Sequence, residues 1–276
     1  MTKNCIYVMD TPMNQRKFEN FKLKYGPYAL VAGSSEGLGA AYAEALAKRG
    51  LNLVLIARRK DVLETFGKAM KEKYSVDVIC LPADLGDYER TKKLVTALDV
   101  PIGLLVYNAA YCPIGLVEAA AEEQLAQVVA VNVKGPLLLT KLLSQKMIQN
   151  HRGGIVLMSS LAGTQGSPKL ASYAASKSFN AILAEGLWQE LKPHGVDVIA
   201  CIAGAILTPG YQQAQQAKAP GTLTAAKVAE TALNALGKYP IVIPGGVNKA
   251  ARFLLSRLLP RKTAITIMSQ STGSLS

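Results

Sequence analysis

Three side chains in this sequence have the types and spacing to move a proton beside a reacting carbonyl. Tyr173 and Lys177 stand four positions apart in Tyr173-Ala-Ala-Ser-Lys177, so on a helix the phenol and the ammonium share one face. A free tyrosine is a weak acid, with a pKa of about 10. A neighbouring ammonium favours the phenolate, and the pair is expected to exchange protons near neutrality. Ser160 lies thirteen residues upstream, at the end of the apolar run Ile155 to Ser160. The end of a strand is where an α/β sheet presents ligand groups, and a hydroxyl there can support a developing alkoxide. By itself Tyr-x-x-x-Lys is an ordinary helix face; a strand-end hydroxyl, from Ser160 or its neighbour Ser159, would give it a chemical partner. Asn132, in Val131-Asn132-Val133, falls inside a long helical pattern. Asparagine is a poor helix-interior residue, so its position calls for a reason.

A second constellation suits a phosphate. Ala32-Gly33-Ser34-Ser35-Glu36-Gly37-Leu38-Gly39 follows one apolar run and opens a helical pattern. Glycines at 33, 37 and 39 let backbone approach a ligand and let helix pack close on strand, while the free N–H groups of the helix start face an anion. The next apolar run ends in Ile56-Ala57-Arg58-Arg59-Lys60. An acidic residue there would accept from the ribose hydroxyls of NAD; arginine instead grips a 2′-phosphate. The expected cofactor is NADP(H), held mainly by Arg58, with Arg59 and Ser34 as helpers.

Those side chains need a scaffold, and the hydrophobic pattern supplies one. Apolar runs at 28–32, 52–57, 76–81, 102–107, 155–159, 196–202 and 241–243 alternate with helical patterns at 38–49, 62–74, 122–149, 171–191 and 225–236. Nearly continuous apolar strands suit a parallel sheet covered on both faces. The expected fold is α/β: a single doubly wound, Rossmann-type parallel sheet of about seven strands with helices on both sides. Residues 1–25 read as an N-terminal extension, 26–246 as the catalytic domain with a lid at about 209–224, and 247–276 as a basic amphipathic segment packed on the domain or at an interface. Tyr211 is a candidate substrate contact within the lid.

With these motifs in order, the chain resembles the short-chain dehydrogenase/reductase family over about residues 26 to 245. The family's turn is usually T-G-x-x-x-G-x-G, with Ala32 here for Thr. The resemblance implies that Asn132, Ser160, Tyr173 and Lys177 form the catalytic group. Asn132 would help hold a water that links Lys177 to solvent, and Lys177 would also hold the nicotinamide ribose. It assigns Ser35, Leu38, Asp84 and Leu85 to the cofactor cradle, Asp84 against the adenine. Asn108 and Ala109 match part of the family's Asn-Asn-Ala-Gly; Tyr107 and Ala110 depart from it and imply an altered loop wall. Ala203-Gly204-Ala205-Ile206-Leu207-Thr208 matches P-G-x-x-x-T, with Ala203 for Pro. The implied roles are backbone contact to the carboxamide from Ile206 and support of that end by Gly204 and Thr208. Lys22-Leu-Lys-Tyr-Gly-Pro27 is similar to the start of oxoacyl and steroid reductases.

The implied activity is NADP(H)-dependent interconversion of a carbonyl and a secondary alcohol, on a small molecule, in a homodimer or homotetramer. The alternative is a catalytically silent NADP(H)-binding regulator or redox sensor; such proteins generally lose the Tyr or Lys that this chain keeps. Bulk properties narrow the rest. With 276 residues there is room for one well-buried core. No uninterrupted apolar run reaches the roughly 18 residues of a membrane span, and no secretory signal opens the chain, so a cytoplasmic protein is expected. Cys5, Cys80, Cys112 and Cys201 are scattered and His151 and His194 stand apart, so neither disulfides nor a metal site is expected. The net charge of +12 favours anionic ligands or surfaces, but no nucleic-acid-binding motif accompanies it. Contact of the basic C-terminal segment with a membrane or an acyl carrier is the corresponding surface expectation.

Overall fold

A computed structural model describes residues 12–208 and 219–273. Its strands are β1 (Tyr28–Ala32), β2 (Asn52–Ala57), β3 (Val78–Pro82), β4 (Ile102–Tyr107), β5 (Gly153–Ser160), β6 (Val196–Ala203), β7 (Ile206–Leu207), β8 (Leu223–Thr224) and β9 (Ile241–Val242). The helices are α1 (Pro12–Tyr25), α2 (Gly37–Lys48), α3 (Lys60–Tyr74), α4 (Tyr88–Thr96), α5 (Glu122–Val129), α6 (Gly135–Gln149), α7 (Ala171–Leu191), α8 (Ala225–Ala235), α9 (Gly246–Phe253) and α10 (Arg261–Gly273). Seven strands form one parallel sheet in the order β3-β2-β1-β4-β5-β6-β9.

Successive strand residues face opposite sides, and both sides are apolar, so two cores form. Val31, Leu55 and Val106 pack with Tyr42, Leu46 and Val228 on one face. Leu30, Ile56 and Leu105 pack with Leu139, Leu143 and Ala184 on the other. Burying each such side chain is worth about 1.5–3 kcal/mol, which is why nearly continuous apolar runs become central strands here. Strand order reverses at β1, which pairs with β2 on one side and β4 on the other, opening a crevice at the carboxyl ends.

Four departures from the expected pattern have physical reasons. First, the helix at 122–149 is interrupted by a π turn over Ala130–Lys134. This stretch is long and apolar enough to cross a bilayer on composition, but Leu139, Leu143 and Met147 spend its inner side on the sheet. Second, the described part of the amino-terminal extension forms α1 and packs on the domain. The phenol of Tyr25 donates to Asp197 at 2.5 Å, and Arg49 lies under Phe18 and Phe21 while gripping Glu230 at 2.9 and 2.6 Å. Third, α4 and the small β7–β8 sheet form from segments too short for a periodic signal. Fourth, the amphipathic run near 247–259 is α9 followed by a π turn over Leu254–Leu258, and α10 continues beyond it. Residues 209–218 of the expected lid, Tyr211 among them, lie outside the described residues; β7 and β8 join the chain on either side of them.

Candidate active site

A groove of about 940 Å³ runs along the carboxyl ends of the strands, from Arg58 and Asp84 at one end to Tyr173, Lys177 and Thr208 at the other. The glycine turn forms its floor. Gly33 has φ +83°, and a Cβ there would meet the Ala109 backbone at 2.7 Å, so only glycine lets the two loops touch. A Cβ on Gly39 would collide with the Gly33 carbonyl, so Gly39 serves the packing of helix on turn. Asn108 locks the arrangement by donating to the Gly33 carbonyl at 2.9 Å. Gly37, with φ +59°, lies against the Thr208 side chain, which sets the glycine turn beside the segment expected to hold the nicotinamide end.

The start of α2 is open for an anion. Its cap residue Glu36 gives no side-chain hydrogen bond to the helix, leaving the first N–H groups unsatisfied by a cap. The Glu36 carboxylate turns instead to Arg59, at 2.8 Å. Arg59 also donates weakly to Ser35 Oγ, at 3.5 Å. Arg58, exposed on the groove wall, meets no carboxylate among the described residues. Asp84 and Leu85 line the same end, and Asp84 Oδ1 accepts the Gly86 N–H at 2.9 Å, which fixes their turn. Ser34, expected beside Arg58, requires correction. It is fully buried, with its hydroxyl donating to the Ile56 carbonyl at 3.3 Å, and Ser35 takes its place on the groove wall. The glycine floor, the open helix start and the unpaired cation fit a dinucleotide carrying a further phosphate.

At the other end, α7 presents a polar stripe. Tyr173, Ser176, Lys177 and Asn180 are spaced i, i+3, i+4 and i+7 and so share one helical face. Lys177 is buried; its Nζ donates to the Met158 carbonyl at 3.1 Å and lies 5.6 Å from the Tyr173 ring centroid. Burial lowers its pKa to about 8, partly opposed by the Cys112 thiol nearby. Burial pushes the Tyr173 phenol well above its ordinary value, and the Ser160 hydroxyl opposes the rise by hydrogen bonding. Ser160 is half-buried and its Oγ accepts the Ala162 N–H at 3.2 Å. Ser159, its neighbour, donates instead to the Lys177 carbonyl at 2.7 Å.

Asn132 does not reach the groove. It is fully buried in the π turn, where Oδ1 accepts the Tyr111 N–H and Nδ2 donates to the Tyr111 carbonyl, both at 2.8 Å. Nδ2 also donates to Ser176 Oγ at 3.0 Å. Its own carbonyl accepts from Asn180 Nδ2 at 3.2 Å. The Asn132 side chain thus ties the wall residue Tyr111 to the α7 stripe. Tyr107, expected to alter the loop wall, is also buried away from the groove; its phenol donates to the Val131 carbonyl of the π turn at 2.6 Å. Asn108, Ala109, Gly204 and Ile206 line the groove as the motifs place them. Ser176, Asn180 and Tyr111 escaped the sequence reading. The polar stripe on α7 carried the signal for the first two; nothing local marks Tyr111.

Residues 27–219 match the family model described as short chain dehydrogenase. A 7β-hydroxysteroid dehydrogenase from Clostridium sardiniense is 31% identical over 83% of this chain and 90% of its own length. A very-long-chain 3-oxoacyl-CoA reductase from Podospora anserina is 35% identical over 73% of this chain, which spans 60% of that protein. Among solved structures, one of a 7β-hydroxysteroid dehydrogenase superposes with a TM-score of 0.84 at 27% identity, over 90% of this chain and 98% of that one. An NADPH complex of a short-chain dehydrogenase from Sphingobium yanoikuyae gives 0.72 at 27% identity, over 79% and 87%. The chain belongs to the short-chain dehydrogenase family. It is an oxidoreductase that interconverts a carbonyl and an alcohol of a small molecule with a nicotinamide cofactor.

Proposed function

We propose that this chain is an NADP(H)-dependent reductase of a bulky, largely apolar carbonyl compound, with Tyr173 as its acid and base. The observation that carries the reading is the convergence of Ser160, Tyr173 and Lys177 at one end of a groove whose other end carries Arg58. Arg58 would hold the 2′-phosphate, the start of α2 the pyrophosphate, and Thr208 with the Ile206 backbone the nicotinamide end. Bound there, the cofactor supplies a hydride to the carbonyl carbon. Ser160 and Tyr173 hold the carbonyl oxygen, and the phenol releases its proton to that oxygen as negative charge develops on it. The phenolate then recovers a proton from the Lys177 ammonium, whose lowered pKa makes it a ready donor near neutrality. The reverse oxidation uses the same groups.

Two observations support the substrate class. The segment beyond Tyr111 exposes Ile114, Leu116 and Val117. The relatives named above act on steroids and very-long-chain acyl groups. Pairing of two copies is supported by Val129, Leu137 and Ile182, which stand exposed on α5, α6 and α7.

Oxidation of NADPH and NADH across a panel of steroid, 3-oxoacyl and small ketones tests the reading, with Tyr173→Phe as blank. Turnover with NADPH that falls at least roughly a hundredfold in the variant, at unchanged NADPH affinity, is the expected outcome. Near-normal turnover in Tyr173→Phe would refute the assignment.

A further inference from the structure

The carboxyl-terminal segment carries an outward apolar face that the reductase chemistry does not use. Val247, Ala250, Leu254 and Leu258 follow helical spacing along α9 and its π turn, and all four are exposed. Phe253 is exposed beside them. The opposite side of the helix is anchored: Asn248 is buried and donates to the Gly221 and Pro244 carbonyls at 3.1 and 2.9 Å. The face is therefore held rigidly outward.

Charge selects what can cover it. Lys249, Arg252, Arg257, Arg261 and Lys262 punctuate the segment, and no acidic residue follows Glu230. Two copies meeting through this face by a two-fold axis would set these cations against themselves. An apolar stripe fringed by cations alone complements a surface with an apolar interior and anionic headgroups. The segment also touches the groove's edge at Gly204. Asn248 lies against Gly204 and Gly221, and Arg261 donates to the Thr164 carbonyl just beyond Ser160.

We propose that α9 and its π turn dock the enzyme on an anionic lipid bilayer, setting the substrate end of the groove at the membrane surface. Val247, Leu254, Leu258 and Phe253 enter the headgroup boundary, and the exposed Lys249 and Arg257 meet lipid phosphates and carboxylates. This goes beyond the reductase reading and stands without it, because docking is read without turnover.

The test is co-sedimentation of the full chain with phosphatidylcholine vesicles containing phosphatidylserine, against phosphatidylcholine alone. The chain is expected to sediment with the anionic vesicles only, and to be released by salt. Lys249→Gln/Arg257→Gln should weaken binding roughly fivefold per cation removed. Leu254→Glu/Leu258→Glu should abolish it, with NADPH affinity unchanged in both variants as the measure of an intact fold. Absence of sedimentation, equal sedimentation with both vesicles, or parental binding by both variants would overturn the proposal. So would a result in which Leu254→Glu/Leu258→Glu alters only the oligomeric mass, or only binding to an acidic acyl carrier protein, since the face would then belong to a second copy or to that partner.

Discussion

The phenolic oxygen of Tyr107 occupies the space that a side chain at residue 135 would need: a Cβ on Gly135 would collide with Oη and lie 2.9 Å from Cζ. The same oxygen takes up the Val131 carbonyl at 2.6 Å, a group inside the π turn. A large residue at 107 and an absent side chain at 135 are thus two halves of one device that supports the turn holding Asn132. Gly135→Ala should cost roughly 2–3 kcal/mol, as overpacking in a core does, read from urea unfolding midpoints. In a Tyr107→Phe background the cost should shrink, because the colliding oxygen is gone. Additive costs would show that the two positions are not coupled.

Asn132 offers a separate test. Asn132→Ala leaves the half-buried Tyr111 N–H and carbonyl without their side-chain partner, at about 1–3 kcal/mol for each unsatisfied group, while Ser176 keeps its bond to the Tyr173 carbonyl. Because Tyr111 lines the groove and Asn132 does not, KM for the carbonyl should rise more than the dissociation constant of NADPH. Equal losses in both would point to general loosening of the fold.

The two arginines after β2 should prove unequal. Arg59 is engaged with Glu36, whereas Arg58 is available on the groove wall. Arg58→Ala should weaken NADPH binding roughly 10- to 100-fold and leave NADH unaffected, the loss expected for charge-assisted hydrogen bonds. Arg59→Ala should cost less for both cofactors. Isothermal titration with each cofactor separates the cases.

The pH dependence follows from Lys177, whose pKa is lowered to about 8 by burial. As a proton donor to the phenolate it works below that value, so kcat/KM for carbonyl reduction should fall as pH rises through about 8. The inflection belongs to the coupled Tyr173–Lys177 pair. For stability the sign is opposite. Below about pH 8 both folded and unfolded chains hold this proton, and the buried charge is a cost. Above it the folded chain releases the proton first, so this group's penalty fades with rising pH. In Lys177→Met the alkaline fall in kcat/KM should vanish along with most of the activity, and a stopped-flow pH series checks both.

What the sequence disclosed and what it withheld differ by the range of the contacts. Gly33, Gly37 and Gly39, or Tyr173 and Lys177, act through neighbours within one turn of helix or one tight bend, so their spacing carries their meaning. Ser34 and Ser35 sit in the same bend, yet one faces the Ile56 carbonyl and the other the groove; nothing in composition distinguishes adjacent serines. Asn132 and Tyr111 are 21 positions apart, and Tyr107 reaches across 24, so their pairing emerges only when the sheet sets α5 and α6 against β4. Arg49, the last residue of the 38–49 pattern, is the buried junction of α1, α2 and α8, which no local spacing announces. Its carboxylate partner, Glu230, lies 181 positions away.

The π turn at 130–134 also sets the phase of everything that follows it. Buried positions along this stretch recur every four residues, at 131, 135, 139, 143 and 147. A regular α-helix advances about 100° per residue, so each such step overshoots a full circle by about 40°. The wider winding of the π turn takes up part of that slip before α6 begins. The front half can then aim Asn132 at Tyr111 while the rear half lays Leu139, Leu143 and Met147 on the sheet. A single-residue deletion within 130–134 would pass for a tidier helix, yet it would rotate one half against the other by more than a quarter turn. Length changes ahead of Glu122 leave that phase untouched.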